Sequence, residues 1–400
     1  MATKTYDILV FGATGFTGQQ TAHYLDRHAP AGMRLAIAGR NRAKLDELAG
    51  RLSRRDIGIV VADTSMPATV HAMCATARVV CTTAGPYSLY GTPVVEGCVE
   101  HNSHYCDITG ETPWVRDMID RFDARAVANG TRLVPFSGYD SCPSDLGTFL
   151  IARALRELGE DTVRVDGFHT GKGGFNGGTL ATGLNMAQSG RIEDVAQPFL
   201  LSPGATPSPE VLRASADPTK VFYHDGAHRY AAPFMMGAIN TRVVRRSATL
   251  FAALGKGYGP DFVYQEYFGS KSRLVAHGFR GAMGFGQTLM ATRPGRALLA
   301  RFGPKPGEGP SEKAMDNGFS KSQFFGVGSK GTQIESEISG PGDPGNRITV
   351  RFLAESALAL AETKAGASGG FLTPATAFGD TLLDRVRAQG MQCSVTVRPQ

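Results

Sequence analysis

A chain of 400 residues, 42% of them hydrophobic, is long enough for two domains with separate cores. Its charge of +6 and its 20% charged residues are ordinary for a globular protein, no apolar run approaches the roughly 18 residues of a membrane span, and its six cysteines form no CxxC pair. A spanning helix and a disulfide scaffold are thereby excluded; reduced, mostly buried thiols, no signal peptide and a cytoplasmic location are expected.

Residues 6–18 read YDILVFGATGFTG: an apolar run, glycines at 12, 15 and 18, then an amphipathic segment over 16–28. Strand, glycine turn and helix in this order are what a dinucleotide pyrophosphate needs. Gly12 permits the tight turn, Gly15 lets backbone approach the phosphates, and Gly18 lets the helix pack on the strand. Thr14, Phe16 and Thr17 sit at the helix start, where free N–H groups and a partial positive charge meet the anion. The next strand, 34–38, ends in Gly39, Arg40, Asn41 and Arg42. An acid here would hold the ribose 2′-hydroxyl of NAD; an arginine suits the 2′-phosphate of NADP. Arg40 is the main candidate, with Asn41 and Arg42 in support, although Arg42 reads equally as a solvated residue opening a helix.

Further strands are predicted at 57–61, 78–82, 104–107 and 131–135, with helices at 42–53, 67–76, 93–102, 113–129 and 144–157; Pro67, Pro93 and Pro113 mark three helix starts. The alternation predicts an α/β fold: a doubly wound (Rossmann) parallel sheet over residues 1–150. Ligands bind beyond the carboxyl ends of such strands. Asp63 there could hold the adenine amino group or cap the next helix. The loop 82–91, with small Ala84 and Gly85, should pass the nicotinamide. YCDITGE (105–111) and FSGYDSCPSDLG (136–147) crowd ionisable side chains at one edge. Tyr87 and Tyr139 are the candidate proton donors, and Asp107 and Asp140 could orient them. Taken singly each also reads as structural, Asp107 capping a turn and Asp145 biasing a helix start. Cys98, His101, His104, Cys106 and Asp107 invite a metal check, but the spacing is irregular and no second pair matches, so no metal is expected. GxSxG is absent, and a serine hydrolase is not supported.

Beyond residue 160 the rhythm changes to a second, α+β domain over 151–370 with a mixed sheet. DTVRVDGFHTGKG reads as a strand, and GKGGFNGG (171–178) as a turn into a helix with Thr179 as N-cap. Loops are predicted at 202–209, 303–311 and 340–346, strands at 219–224, 323–328, 332–338 and 347–353, helices at 354–363 and 375–388, and a last strand at 393–397. Residues 370–400 are expected to pack back on the first domain. Between Glu266 and Glu308 there is no acid, while Lys271, Arg273, Arg280, Arg293, Arg296, Arg301 and Lys305 alternate with apolar residues. That stretch suits an acidic protein partner or an anionic membrane face, or is a solvated face over a core helix. No nucleic-acid motif accompanies it.

GATGFTG (12–18), LAIAGR (35–40), TAGPYSLYGTPVV (83–95), YCDITGE (105–111), GYDSCPSDLG (138–147), NTRVVRRS (240–247), PKPGEGPS (304–311) and LTPATAFGDTLL (372–383) together resemble the saccharopine dehydrogenase-like oxidoreductases, most closely the mycobacterial trans-acting enoyl reductases. The resemblance implies NADPH-dependent reduction of an enoyl group in a polyketide-derived lipid, such as the phthiocerol and phenolphthiocerol dimycocerosates, for a synthase without its own reductase module. It supplies no catalytic residue. In this reading Phe175, Leu180, Leu184 and Met186 line an apolar acyl channel or pack as plain core, and the basic stretch docks an acidic acyl-carrier domain. The rival readings are a saccharopine-like amino-acid dehydrogenase or imine reductase, for which no arginine set is identified, and a non-catalytic NADP-binding scaffold.

Overall fold

Successive side chains on a strand face opposite ways, and the first strand shows what that builds. The structure, a computed structural model, describes residues 4–174, 176–305, 307–364 and 366–398. In β1 (Tyr6–Phe11), Ile8 and Val10 enter one apolar layer while Leu9 and Phe11 enter the other. Past Asp7, which pairs with Arg34 at 2.8 Å, both faces are buried and the run Ile8–Phe11 is apolar. It is joined by β2 (Leu35–Gly39), β3 (Gly58–Val61), β4 (Ala77–Thr82), β5 (His104–Cys106) and β6 (Arg132–Val134). All are parallel, in the order β6-β5-β4-β1-β2-β3. This is the doubly wound sheet the alternation predicts, and the strand order reverses between β1 and β4, which opens a crevice above their carboxyl ends.

Six strands then build a second sheet: β7 (Thr162–Lys172), β8 (Phe222–His224), β9 (Arg229–Pro233), β10 (Val263–Ser270), β11 (Phe319–Gly328) and β12 (Gln333–Pro341). Of the last two strands, β13 (Gly370–Phe371) extends the first sheet beside β6, and β14 (Gln392–Val397) pairs with β12. The second sheet runs β14-β12-β11-β7-β10-β9-β8 and is mixed, with only β7 and β10 parallel. The helix Cys142–Glu157 leaves the first sheet and lays Ile151, Ala152 and Leu155 on Val165, Tyr264, Phe324 and Ile334 of the second. Contact is close: a Cβ on Gly147 would lie 2.3 Å from the Phe324 ring.

One predicted strand is overturned. Residues 347–353 are helical, as a π-helical turn Pro344–Ile348 runs into the helix Thr349–Ala361. The β-branched run suggested a strand, but the Asp343 carboxylate accepts the Arg347 N–H at 3.0 Å and starts a helix instead. That helix puts Phe352, Leu353 and Leu358 into the layer of Ile8 and Val10. Helix Gly237–Ala253 carries three buried arginines. Arg245 donates to the carbonyls of Pro198, Ser215 and Tyr264, and Arg242 pairs with Asp217. Arg246 donates to the Leu201 carbonyl and, at 2.6 Å, to that of Phe371 in the first sheet. Burial lowers Arg245 to about 9 and Arg246 to about 10. The six cysteines are free and five are buried. Among the described residues no helix is long and apolar enough to cross a membrane.

Candidate active site

At the switch point two of the three glycines, Gly12 and Gly18, are required by geometry. Gly12 has φ +78°, and a Cβ there would lie 3.0 Å from the Ala84 nitrogen. A Cβ on Gly18 would stand 2.2 Å from the Gly12 carbonyl oxygen, so helix Phe16–His28 reaches the turn only with glycine at that position. Gly15 is the N-cap residue, and no side chain caps this helix among the described residues. Its first N–H groups therefore face the crevice with the helix dipole behind them, which fits a pyrophosphate. Gln19 donates to the Thr14 carbonyl at 3.0 Å and Thr21 to that of Thr17 at 2.9 Å, fixing the turn. Phe16 lies under the loop after residue 303: a Cβ on Gly309 would be 2.4 Å from its ring.

The end of β2 separates three residues that sequence grouped together. Asn41 is the N-cap of helix Arg42–Arg51, accepting the Lys44 N–H at 3.1 Å. Arg42 is held by Asp46 at 2.9 Å, one helical turn on, as in the solvated reading. Arg40 is exposed and makes no ion pair among the described residues, which leaves its guanidinium free for a phosphate. Asp63 neighbours it. Its Oδ1 accepts both the N–H and the hydroxyl of Ser65 at 2.9 Å, and these bonds, with Arg40 adding a smaller effect, hold the carboxyl below its ordinary range. This is a turn-forming role; the N-cap position of the next helix falls to Met66.

The loop after β4 carries Ala84, half-buried, and Gly85, exposed. Its far end is pinned by Glu111, whose carboxylate accepts the N–H groups of Tyr87 (2.6 Å) and Ser88 (3.1 Å) and the Ser88 hydroxyl (2.5 Å). Tyr87 does not stand where a proton donor would. Its ring stacks on Trp114, its hydroxyl donates to the Thr82 carbonyl at 3.1 Å, and the residue is 3% exposed. Asp107 is equally structural: it accepts from the Tyr105 hydroxyl (2.5 Å) and from the N–H groups of Thr109 (2.9 Å) and Phe136 (3.1 Å). Burial nevertheless raises its carboxyl to about 7. Asp145, raised by burial to about 6, ties its helix start to Ser247 and the Ala375 N–H. Cys98 lies against Cys74 and the His104 Nδ1 accepts the Arg132 N–H at 3.1 Å, while His101 groups instead with His71 and Glu100.

Tyr139 is the tyrosine that meets the second sheet. Its hydroxyl stands 3.5 Å from Ser322 Oγ, which is 2.9 Å from His169 Nδ1. His169 Nε2 lies 3.3 Å from the Glu266 carboxylate, itself bonded by Ser144, Tyr264 (2.6 Å) and Asn240 (3.0 Å). Burial lifts the Tyr139 phenol to about 12. Asp140 is exposed at its surface, yet desolvation by the protein around it, then the Glu266 charge, raises it to about 6. His169, Ser322 and Glu266 escaped sequence reasoning; the one available signal was an acid inside the aromatic run YQEYF of β10.

From the Glu111 loop a chamber of about 1500 Å³ extends between Trp114, helix Gly177–Gln188 and the helices Arg273–Ala291 and Arg293–Phe302. Met118, Met186, Met235, Met283 and Met290 line it; Met235, Met283 and Gln287 continue into a cavity of about 650 Å³ that reaches Glu266. Of the expected channel residues, Met186 faces the chamber, Leu180 packs against Gly303, Leu184 is half-buried and Phe175 lies outside the described residues. Asn176, not Thr179, caps this helix, accepting the Thr179 N–H at 3.0 Å.

The saccharopine dehydrogenase NADP binding domain matches residues 8–134. A Mycobacterium tuberculosis protein provisionally named a trans-acting enoyl reductase is 36% identical over 98% of both chains. The trans-acting enoyl reductase of Mycobacterium ulcerans is 32% identical over 99% of each. Among solved structures, apo saccharopine dehydrogenase (L-Glu forming) from Saccharomyces cerevisiae superposes with a TM-score of 0.54 at 14% identity, covering 98% of this chain and 99% of that one; the likeness is one of fold. With relatives this similar along its whole length, the chain belongs to the trans-acting enoyl reductase family, NADP-dependent oxidoreductases with the saccharopine dehydrogenase fold.

Proposed function

We propose that the protein reduces the carbon–carbon double bond of an enoyl thioester in a polyketide-derived lipid of the phthiocerol or phenolphthiocerol dimycocerosate type, in trans for a synthase that lacks this step. The observation that carries the reading is the methionine-lined chamber opening beside the Glu111 loop: it is large, mostly apolar and deformable, as a branched acyl chain needs, with Glu111, Asp117, Asp120, Arg121 and Arg191 also in its lining. The names of the full-length relatives support the reaction.

Residues 1–150 would hold the cofactor and 151–370 the acyl group, with 370–400 returning to the first domain. Gly12, Thr14, Gly15, Phe16, Thr17 and Gly18 would cradle the pyrophosphate, Arg40 beside Asn41 the 2′-phosphate, the free oxygen of Asp63 the adenine, and Ala84 and Gly85 the nicotinamide. When bound, NADPH supplies a hydride to the β-carbon of the substrate. The electron pair then moves to the thioester oxygen, and the α-carbon needs a proton. Tyr139, neutral at working pH, would stabilise that oxygen or give the proton, and Ser322 and His169 would refill it.

Consumption of NADPH with an enoyl thioester, set against a 2-oxo acid plus lysine, separates this reading from amino-acid dehydrogenation; binding without turnover on either would leave the scaffold. Tyr139→Phe should lower kcat by about 10²-fold or more with the NADPH KM unchanged, whereas Tyr87→Phe should not change kcat. Faster turnover of the amino-acid pair, or full activity in Tyr139→Phe, refutes the assignment. Gene deletion should yield cell lipids lighter by two hydrogens.

A further inference from the structure

We infer that the hairpin of helices Arg273–Ala291 and Arg293–Phe302 is a docking face for an anionic lipid bilayer. Its two sides differ in what they meet. Inward, Ala276 is buried, Phe279 stacks on Phe268 at 4.0 Å, and Met283, Met290 and Leu299 line the chamber. Outward, Leu274, Gly278, Gly281 and Phe285 follow one another at i, i+4, i+7 and i+11, a single stripe on the helix. Leu274 is 82% exposed and Phe285 66%; on the second helix Leu298 and Phe302 share a face, and Phe302 is 75% exposed. A helix apolar on both sides is built to be covered on both. Among the described residues nothing covers the outer stripe: a Cβ on Gly278 or Gly281 would meet open space.

Charge selects the occupant. Lys271, Arg273, Arg280, Arg293, Arg301 and Lys305 are exposed around this face, with no acid between Glu266 and Glu308. Convex apolar tips within a basic surround are the composition of an interfacial helix, whose leucines and phenylalanines enter the acyl boundary while arginines meet lipid phosphates. Arg296 instead clasps the hairpin, donating to the carbonyls of Met290 (2.9 Å) and Ala291 (3.0 Å). An acidic carrier domain would satisfy the cations but not the apolar tips. The inference deepens the proposed function, on which it rests for its purpose: the roof of the acyl chamber is also the face laid on the membrane, so a lipid chain reaches the chamber without crossing water.

The test is flotation of the full chain with vesicles of phosphatidylcholine, with and without phosphatidylglycerol. Binding to the anionic vesicles should be at least about tenfold tighter and should weaken with salt. Leu274→Asp, Phe285→Asp and Phe302→Asp together should abolish flotation, while reduction of a short, water-soluble enoyl thioester stays unchanged. Lys271→Glu, Arg293→Glu and Arg301→Glu should do the same should the first set not fold. Failure to float with anionic vesicles at low salt, flotation of both variant sets, or binding of an acidic carrier domain through these residues without vesicle binding would each overturn the inference. Flotation by a protein that reduces no enoyl thioester would instead refute the reductase reading.

Discussion

Replacing Glu111 by glutamine tests whether the loop 82–91 is held from below. The carboxylate is 2% exposed and accepts three bonds from Tyr87 and Ser88, at 2.6, 3.1 and 2.5 Å. The Ser88 hydroxyl also receives the Asn185 amide at 2.7 Å, so one carboxylate steadies both the loop and helix Gly177–Gln188. Hydrogen bonds to a charged group contribute about 1.5–3 kcal/mol each. Glutamine keeps one acceptor oxygen and turns an N–H₂ toward a backbone N–H, so one bond breaks and the others become neutral. The local loss should be about 3 kcal/mol, a factor of ~10² in the opening equilibrium. Amide hydrogen exchange reads this directly: the Tyr87 and Ser88 amides should exchange ~10² faster while those of β1 keep their protection. The NADPH KM should rise with it. Unchanged exchange at Tyr87 and Ser88 would refute the account.

Arg40→Ala should raise the NADPH KM by about tenfold, the lower range for a charge-assisted pair at an exposed site, and leave the NADH KM unchanged; titration of both coenzymes checks it. Asp107, raised to about 7 by burial, binds its proton more tightly folded than unfolded, so its contribution is fully present below the ordinary Asp range and is lost as pH rises toward 7. Thermal melts of Asp107→Asn should therefore show a flatter decline in Tm between about pH 4 and 7 than the parent. A parallel decline in both proteins would remove Asp107 as its source.

The first sheet was legible because its signals agree: Ile8–Phe11 is apolar on both faces, Gly12 and Gly18 obey a steric demand, and strands alternate with helices. What the sequence hid follows from long-range pairing. The apolar run at 347–353 fits strand and helix equally, and its neighbours in the first sheet decide. β10 escaped because Gln265 and Glu266 break its apolar pattern, although both are buried and bonded. Tyr87 and Tyr139 look alike in sequence; only the fold turns the first toward the Thr82 carbonyl and the second toward Ser322. The basic stretch was visible as charge, but its two-sided apolar character needed the hairpin.

The return of helix Thr349–Ala361 to the first sheet has a consequence for how the molecule is made. The nucleotide signature leaves the ribosome early, yet the layer containing Ile8 and Val10 is closed by Phe352, Leu353 and Leu358, and β6 gains its outer neighbour only with β13. The nascent amino-terminal half must wait, apolar face uncovered, until nearly the entire polypeptide has emerged. A fragment cut after the glycine-rich half should aggregate rather than bind coenzyme, and chaperone demand during translation is the toll of this topology.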